Sequence, residues 1–584
     1  MVALKFDKFG GQIPAIDERL LPEENAAFAK DAFLQAGRLE PLAADVEIHT
    51  LVDPLARFAF RIPIDNPGIE NMTDSYWLEF TDPETSVVRS PVANADRFYW
   101  ANADDLTPPG YNTKARIAVG DPGLILGIPR PAVAPGVTPV GGAAPTVTRA
   151  YVYTWVSSLG EEGQPSPFTV VTANVTATWN LTFTAPTGAD TTGRLLATTR
   201  IYRTEVGTSG EAEFFLVDEI PIATLTYADT KTPAQVVSNS PLISTDWSGP
   251  PADLVGMVSM PNGMIAGWRN NEVWFCEPYR PHAWPTKYMQ TVEAPVIGLG
   301  TVDQSLMILT AGQPYVATGI HPSVVALRQV QPLEPCTSRR SIVSTQQGVL
   351  YTSNNGLILI GPGGGTNLTY DIIRKDEWLR LANLQTLAAT FFMNGYYAFS
   401  GAIEGVFQTD PPPTEDAWDT FDDFVQVDDF RGTREGMHIA LGDTRLGYMT
   451  VTSDDPTYNV LLDVYTGETM VIRDGKVFHV DRREYTPRRP YLWRSKLVEL
   501  PYQHAFGAAK VFFGPPLGAA PTAGTTFKMY TDGVLRYTYP LQQSGKQFRL
   551  PSGQKYQTVQ FELEGQMMIF NLQVATSAKE LRQV

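Results

Sequence analysis

The chain has 584 residues, enough for several hydrophobic cores, and 43% of them are hydrophobic whereas only 18% are charged. A small scaffold held by disulfides is therefore excluded, and so low a charged fraction is typical of a surface partly covered by other subunits. The net charge of −17 argues against binding to a phosphate backbone through a basic surface. The 48 Gly and 46 Pro are spread along the chain, which predicts many short strands joined by tight turns.

The two cysteines, Cys276 and Cys336, are far apart and belong to no Cys-x-x-Cys or Cys/His cluster. We therefore expect neither a zinc site nor a disulfide framework. The first residues lack the pattern of a signal peptide, and no stretch reaches the roughly 18 apolar residues of a membrane helix. The sequence thus predicts a protein that is made in the cytoplasm, without cofactor and without membrane insertion.

Residues 1–45 are predicted to form an N-terminal docking segment with one short helix, from Pro22 to about Leu34. Pro22 suits the first turn of a helix, and Glu23 and Glu24 complement its positive end. A second helical pattern runs from about residue 371 to residue 387. Helix is otherwise scarce, so the fold class is predicted to be all-β.

Residues 46–140 show short alternating runs separated by Asn, Asp and Pro, which predict a β-rich platform or part of a propeller. The Pro/Gly/Ala-rich stretch 129–145 is predicted to be an extended linker. Residues 141–240 then contain about seven strand-like runs, a core tryptophan and the turn SSLGEEGQPSP. Their spacing resembles a fibronectin type III sandwich, here an insertion with its own core, and another small sandwich is the alternative.

Residues 241–500 are quasi-periodic, because pairs of strands around a Gly or Asn-Gly turn recur every 40 to 50 residues or so. This pattern is typical of propeller blades, with a generic β-sandwich or barrel as the alternative. In the first pair, Asn262 and Gly263 are expected to adopt positive φ in the turn, and Trp268, Trp274 and Phe275 to anchor the sheet. Residues 501–584 are predicted to be a small separate β domain.

Two segments carry a family resemblance: FGGQIPAIDERLLPEENAAFAKDAFLQAGRLEPL at the start, and MVSMPNGMIAGWRNNEVWFCEPYRPHAWPTKYMQTVEAPVIGLGTVDQSLMI from Met257 to Ile308. They resemble the tail nozzle, or tail tubular protein B, of short-tailed bacteriophages, most specifically over residues 9–42 and 250–320. In that family six copies form a ring below the adaptor under the portal, and genomic DNA leaves through its lumen. The fibronectin-like insertion departs from the best-known members.

The resemblance implies a structural virion protein of a phage tail with no catalytic activity, which assembles as a homo-oligomer, by analogy a hexamer. Its implied partners are the adaptor or portal-proximal ring, tail fibres or spikes, and genomic DNA that passes without specific binding. Two alternatives come from other classes of protein. One is a tail protein that binds a receptor or glycan, and the other is a propeller glycosidase.

The residues that could carry chemistry favour a structural interpretation. The six histidines lie in six separate segments with no metal-ligand spacing, so we expect no metal site. The loop Gly361-Pro-Gly-Gly-Gly-Thr366 lacks the Lys and the following helix of a phosphate-binding loop. No catalytic residue is predicted.

Two charged stretches are the candidate functional sites. An acidic loop is predicted either to line the DNA path and repel phosphate or to be a solvated surface; it contains Glu415, Asp416, Asp419, Asp422, Asp423, Asp428 and Asp429. A basic and aromatic stretch is predicted to contact a neighbouring subunit, with nucleic-acid binding as the alternative; it contains Arg482, Arg483, Arg488, Arg489, Tyr491 and Trp493.

Overall fold

The computed structural model describes most of the chain, namely residues 3–34, 37–64, 74–92, 96–103, 108–206, 212–331, 333–381, 383–400, 433–441, 447–482, 487–516 and 520–582. The chain divides into two compact units. Met1–Pro83 and Gln331–Val584 form the discontinuous unit, and Glu84–Val330 forms the inserted unit. Strands dominate both units, so the all-β fold class is confirmed.

The inserted unit contains three antiparallel sheets, each made of four strands that are neighbours both in sequence and in space. Such four-stranded meanders are the blades of propellers. The first consists of Ser86–Arg89, Arg97–Ala101, Gly110–Thr113 and Leu124–Ile125. The second consists of Gly256–Ser259, Ile265–Arg269, Glu272–Phe275 and Gln290–Thr291. The third consists of Val296–Val302, Ser305–Thr310, Tyr315–Thr318 and Ala326–Gln329.

A seven-stranded sandwich is the other part of the inserted unit. One sheet has the order Gly136–Val140, Thr178–Thr182 and Thr226–Asp229. The other has the order Thr169–Asn174, Thr146–Ser157, Leu196–Val206 and Ala212–Pro221. Trp155 and Trp179 are buried between the sheets. The predicted insertion is therefore a sandwich with its own core, but the linker prediction is wrong over Gly136–Val140, which is the first strand of the sandwich.

The discontinuous unit contains a fourth blade-like sheet of Val343–Ser344, Val349–Ser353, Gly356–Gly361 and Gly364–Asn367. Its largest sheet has thirteen strands. Nine follow one path in the order Ala388–Phe392, Gly395–Phe399, Thr433–Ala440, Tyr448–Leu462, Ala26–Lys30, Tyr491–Ser495, Tyr556–Gly565, Thr525–Thr531 and Val534–Pro540. Four more pair beside that path: Thr469–Arg473, Lys476–His479, Val46–Thr50 and Val498–His504.

Smaller elements complete the discontinuous unit. A four-stranded sheet has the order Ala3–Phe6, Met568–Ala575, Ala508–Gly514 and Gln547–Arg549. Two-stranded sheets pair Ala32–Phe33 with Glu40–Pro41 and Phe58–Pro63 with Ser75–Phe80.

The helices among the described residues are short. The α-helices are Lys114–Ala118, Gly188–Gly193, Pro233–Val237 and Lys375–Leu381. The 3-10 turns are Thr286–Tyr288, Pro322–Val324, Arg339–Ser341 and Glu580–Arg582. The helix Lys375–Leu381 lies within the pattern predicted over residues 371–387.

The helix predicted from Pro22 to Leu34 is wrong. Ala26–Lys30 is instead a strand between Tyr448–Leu462 and Tyr491–Ser495 in the middle of the largest sheet. Helix propensity is a weak preference that such burial overrides. The N-terminal segment is thus part of the body of the discontinuous unit.

The prediction of a separate C-terminal domain is also wrong. Strands Thr525–Thr531 and Tyr556–Gly565 belong to the same sheet as Ala26–Lys30, and their side chains share one hydrophobic core with Phe6 and Trp493. Residues from both ends of the sequence therefore stabilise one unit.

Candidate functional site

The acidic stretch from Glu415 to Asp429 lies outside the described residues, and so does Arg483. The role of this acidic stretch in repelling DNA stays a prediction. The other members of the basic and aromatic stretch are Arg482, Arg488, Arg489, Tyr491 and Trp493, and the structure describes all five.

Most of that stretch is buried within the chain. Tyr491 and Trp493 are both fully buried, and Arg488 is only 3% exposed. The Trp493 ring packs edge-on against Phe9 with 5.0 Å between centroids, and its Nε1 donates to the carbonyl oxygen of Gly10 at 3.0 Å. The predicted subunit contact of Arg488, Tyr491 and Trp493 is therefore wrong, because these side chains are buried within their own chain.

Arg489 belongs to a buried ionic cluster with Arg473 and Asp45. Arg489 Nη2 lies 3.0 Å from Asp45 Oδ2, and Arg473 forms an ion pair with the same carboxylate. The side chains of Asp45, Arg473 and Arg489 are 6%, 3% and 13% exposed. The Asp45 carboxylate thus links the strand Thr469–Arg473 to Arg489, which lies later in the chain. Removing one partner of such a buried pair costs more than an exposed ion pair contributes, because a charge remains without water.

A second buried carboxylate, Asp31, fixes the N-terminal segment beside this cluster. It accepts hydrogen bonds from the backbone N–H of Thr452 at 2.7 Å and from its hydroxyl at 2.5 Å. Burial raises the pKa of Asp31, and the hydrogen bonds from Thr452 oppose that rise. Ala43 N–H donates to Asp481 Oδ1 at 2.7 Å a short distance away. Asp31, Ala43 and Asp45 are therefore each held to later parts of the unit.

The accessible residues of the predicted docking segment include Lys5 and Asp7 and the turn that contains Ile16 and Leu20. Leu20 is 76% and Ile16 is 37% exposed, whereas Leu21 and Phe9 are 3% and 1% exposed. A partner that contacts the N-terminal segment would meet this turn or the exposed residues around Lys5.

In the inserted unit, Glu161 joins the sandwich to the first blade. Its Oε1 lies 2.7 Å from Arg97 Nη1 and 3.9 Å from His282 Nδ1. Burial raises the pKa of Glu161, and burial together with Arg280 and Arg97 lowers the pKa of His282 to about 3. Burial also raises the pKa of Tyr99, on the Arg97–Ala101 strand, to about 12.

The adjacent Glu162 turns the other way and holds the sandwich itself. Its carboxylate accepts hydrogen bonds from Thr154 Oγ1 at 2.6 Å, Tyr202 Oη at 2.7 Å and Arg200 Nη1 at 2.8 Å. Both glutamates are 5% exposed. Two consecutive buried residues of the predicted turn SSLGEEGQPSP thus have different partners. Glu161 contacts the first blade, and Glu162 contacts strands of the sandwich.

Glu161 and Glu162 are the charged residues of an otherwise uncharged Gly/Pro turn, and this contrast was a usable signal for the pair. Asp45 had no such local signal, since its partners Arg473 and Arg489 are more than 400 positions away.

The described histidines lie in separate environments. His49 stacks on Trp77 and pairs with Glu79 at 2.7 Å, His479 lies 3.2 Å from Glu468, and His438 is buried. Within the part of the chain that the structure describes, no three His, Cys, Asp or Glu side chains converge in a way that could hold a metal ion. Among the described ranges, no helix has both the length and the apolar character needed to cross a bilayer.

No protein-family model matches the chain, and no curated protein is significantly similar in sequence. Three of the solved structures similar to the chain have low sequence identities and low TM-scores. A BBS1N–ARL6DN complex gives 8% identity and a TM-score of 0.27, covering 75% of this chain and 96% of that one. The N-terminal domain of Nup159 has 11% identity and a TM-score of 0.21, and the match covers 48% of this chain and 86% of that one. The Pan2 WD40 domain of Neurospora crassa has 8% identity and a TM-score of 0.22, and the match covers 49% of this chain and 87% of that one. These scores carry no argument about function.

Proposed function

We propose that this chain is a structural subunit of a phage tail, which forms a ring-shaped nozzle or tail tube below the adaptor for ejection of genomic DNA. Its partners are other copies of the chain, in a hexamer by analogy, the adaptor or portal-proximal ring, and tail fibres or spikes. The protein is made in the host cytoplasm and resides in the virion. It performs no catalysis.

The observation that carries the proposal is the resemblance of residues 9–42 and 250–320 to the tail nozzle family. What supports it is the position of these segments in the fold. Phe9 and Ala29 lie in the core of the discontinuous unit, and Trp268 and Phe275 lie in a core of the inserted unit. Buried framework residues are those that a shared architecture constrains most, because substitutions there leave cavities.

The described charged residues also agree with a rigid wall. Asp45, Glu161 and Glu162 are held by ion pairs or hydrogen bonds inside their own units. A conduit has to keep its shape while DNA passes, and buried, paired carboxylates restrict local rearrangement.

The test is electron microscopy of the purified chain, alone and mixed with the adaptor ring of the same phage, followed by antibody labelling of virions. We expect rings with a central channel and label at the tail. A chain that stays monomeric, does not join the adaptor and labels no virion would contradict the proposal.

The alternatives give different results in two assays. A receptor- or glycan-binding protein binds host cells as an isolated chain. A glycosidase releases sugar, and its turnover is lost when one of two facing acids is changed. We expect neither cell binding nor turnover.

A further inference from the structure

Charge is distributed unevenly along the chain. Residues 501–584 contain eight Lys and Arg against four Asp and Glu, a net charge of +4. The other 500 residues contain the remaining 37 Lys and Arg and 58 Asp and Glu, a net charge of −21. Two copies of the chain are therefore complementary if this basic region of one faces the acidic remainder of the other.

Two of these basic residues, Lys510 and Arg549, lie with Lys5 on one face of the four-stranded sheet that contains Ala3–Phe6 and Gln547–Arg549. In its register Lys5 lies opposite Gln573, Gln573 opposite Lys510, and Lys510 opposite Gln547. Side chains directly opposite each other in antiparallel strands lie on the same face. The alternate residues, such as Phe6, Val511 and Leu572, are in the core. The lysine row thus points away from the core.

The turn after this sheet packs on the same face through Leu581 and carries two more cations. Leu581 packs on Ala508 and Ala575, and Ala508 lies opposite Arg549 in the register. The neighbours of Leu581, Lys579 and Arg582, are exposed. We define the basic face as Lys5, Lys510, Arg549, Lys579 and Arg582.

The carboxylates of this region leave most of the basic face uncompensated. Glu562 pairs with Arg494 and Lys528, and Asp532 accepts backbone hydrogen bonds from Gln557 and Thr558. Asp7 pairs with Lys5 at 3.3 Å, and Glu580 accepts a hydrogen bond from Thr576. None of the ion pairs between described residues includes Lys510, Arg549, Lys579 or Arg582.

Aromatic side chains lie among these cations. Lys510 Nζ sits 4.4 Å from the ring centroid of Phe512. Phe570 is 41% exposed, and its ring lies beside Gly514, at the end of the same strand. Exposed aromatic groups next to cations with no ion-pair partner are the composition that protein interfaces favour.

We infer that the basic face docks on the acidic surface of a second copy of this chain, in a head-to-tail contact. This inference rests on the proposed ring, because a closed ring needs two different complementary surfaces on each subunit. The occupant is a second copy rather than DNA. Five cations beside two carboxylates are few for non-specific DNA binding, and the net −21 of the remaining residues repels phosphate.

The test compares K510E/R549E with R536E/K555E, a control that changes the charge equally at exposed residues of the same region outside the basic face. Sedimentation equilibrium at low and physiological ionic strength measures self-association of the intact chain, and thermal melting checks folding. We expect K510E/R549E to weaken association at least tenfold and R536E/K555E to leave it within twofold. Wild-type association should weaken as salt screens the contact.

Equal association of K510E/R549E and wild type overturns the inference while leaving the proposed ring intact. A wild-type chain that stays monomeric and joins no adaptor overturns both. Fluorescence anisotropy with a 20-bp DNA duplex tests the other occupant. DNA binding at physiological salt that K510E/R549E alone loses, with association unchanged, assigns the basic face to nucleic acid and overturns the inference.

Discussion

His282 is a buried histidine whose environment makes stability depend on pH. Burial and the nearby cations Arg280 and Arg97 lower its pKa from 6.5 to about 3. Between these values the unfolded chain binds a proton at this position and the folded chain does not, so stability falls as pH falls through this window. Glu161 acts oppositely, because burial raises its pKa and its protonation favours the folded state.

We therefore expect His282→Asn to flatten the acid dependence of unfolding. From pH 7 to pH 4 the histidine alone costs the wild type up to about 3 kcal/mol, which the variant should not lose. Urea unfolding at both pH values measures the difference. His504→Asn, at a half-buried histidine, is the control and should follow the wild type. Equal slopes for His282→Asn and wild type would show that His282 does not carry this dependence.

Among the elements, the turn at Asn262-Gly263 shows what the local sequence can predict. The turn at Asn262-Gly263 was predicted to need positive φ, and the φ angles are 62° and 75°. The predicted anchors Trp268, Trp274 and Phe275 are buried, which confirms that prediction. Turn chemistry is local, so the sequence carries it directly.

A substitution in this turn tests its importance. At Gly263, a Cβ atom would lie 2.5 Å from the Tyr279 ring on a backbone with positive φ. We expect Gly263→Ala to destabilise the inserted unit by about 1–3 kcal/mol. Gly363→Ala, where the space is open and φ is not positive, should stay within about 0.5 kcal/mol of wild type. Chemical denaturation of both variants decides, and equal stabilities would refute the prediction.

Long-range partners explain the wrong predictions. The strand Tyr491–Ser495 has alternating burial, with Tyr491, Trp493 and Ser495 inside. That period of two was a usable signal for a buried strand, but the surrounding arginines suggested a surface. The segment Ala26–Lys30 is too short for the spacing of its apolar residues to distinguish a helix from a strand. Pairing with the strands that contain Thr450 and Arg494 makes it a strand.

At the scale of the whole molecule, two covalent connections, at 83–84 and at 330–331, join the two units. Each unit contains one buried thiol, Cys276 in the inserted unit and Cys336 in the discontinuous unit. Burial raises the pKa of each to about 12, so both are unreactive while folded. The two thiols therefore report on the units separately.

We expect the thiols to become reactive at different urea concentrations, since units with their own cores unfold separately unless they are strongly coupled. Iodoacetamide labelling with peptide mapping measures both in one sample, and Cys276→Ala and Cys336→Ala confirm the assignment. Coincident midpoints for the two cysteines would mean that the chain unfolds as one cooperative body.

The register that pairs Ala3–Phe6 with Met568–Ala575 has a consequence for synthesis on the ribosome. The first strand emerges early but waits for its partner while more than 560 residues are added, on the order of one minute at bacterial elongation rates. The inserted unit is meanwhile complete at Val330. Because the basic face takes Lys5 from the first strand and Arg582 from the last turn, a nascent or truncated chain cannot present it. Under our inference, a chain that stops before Arg582 therefore lacks part of the surface through which two copies associate.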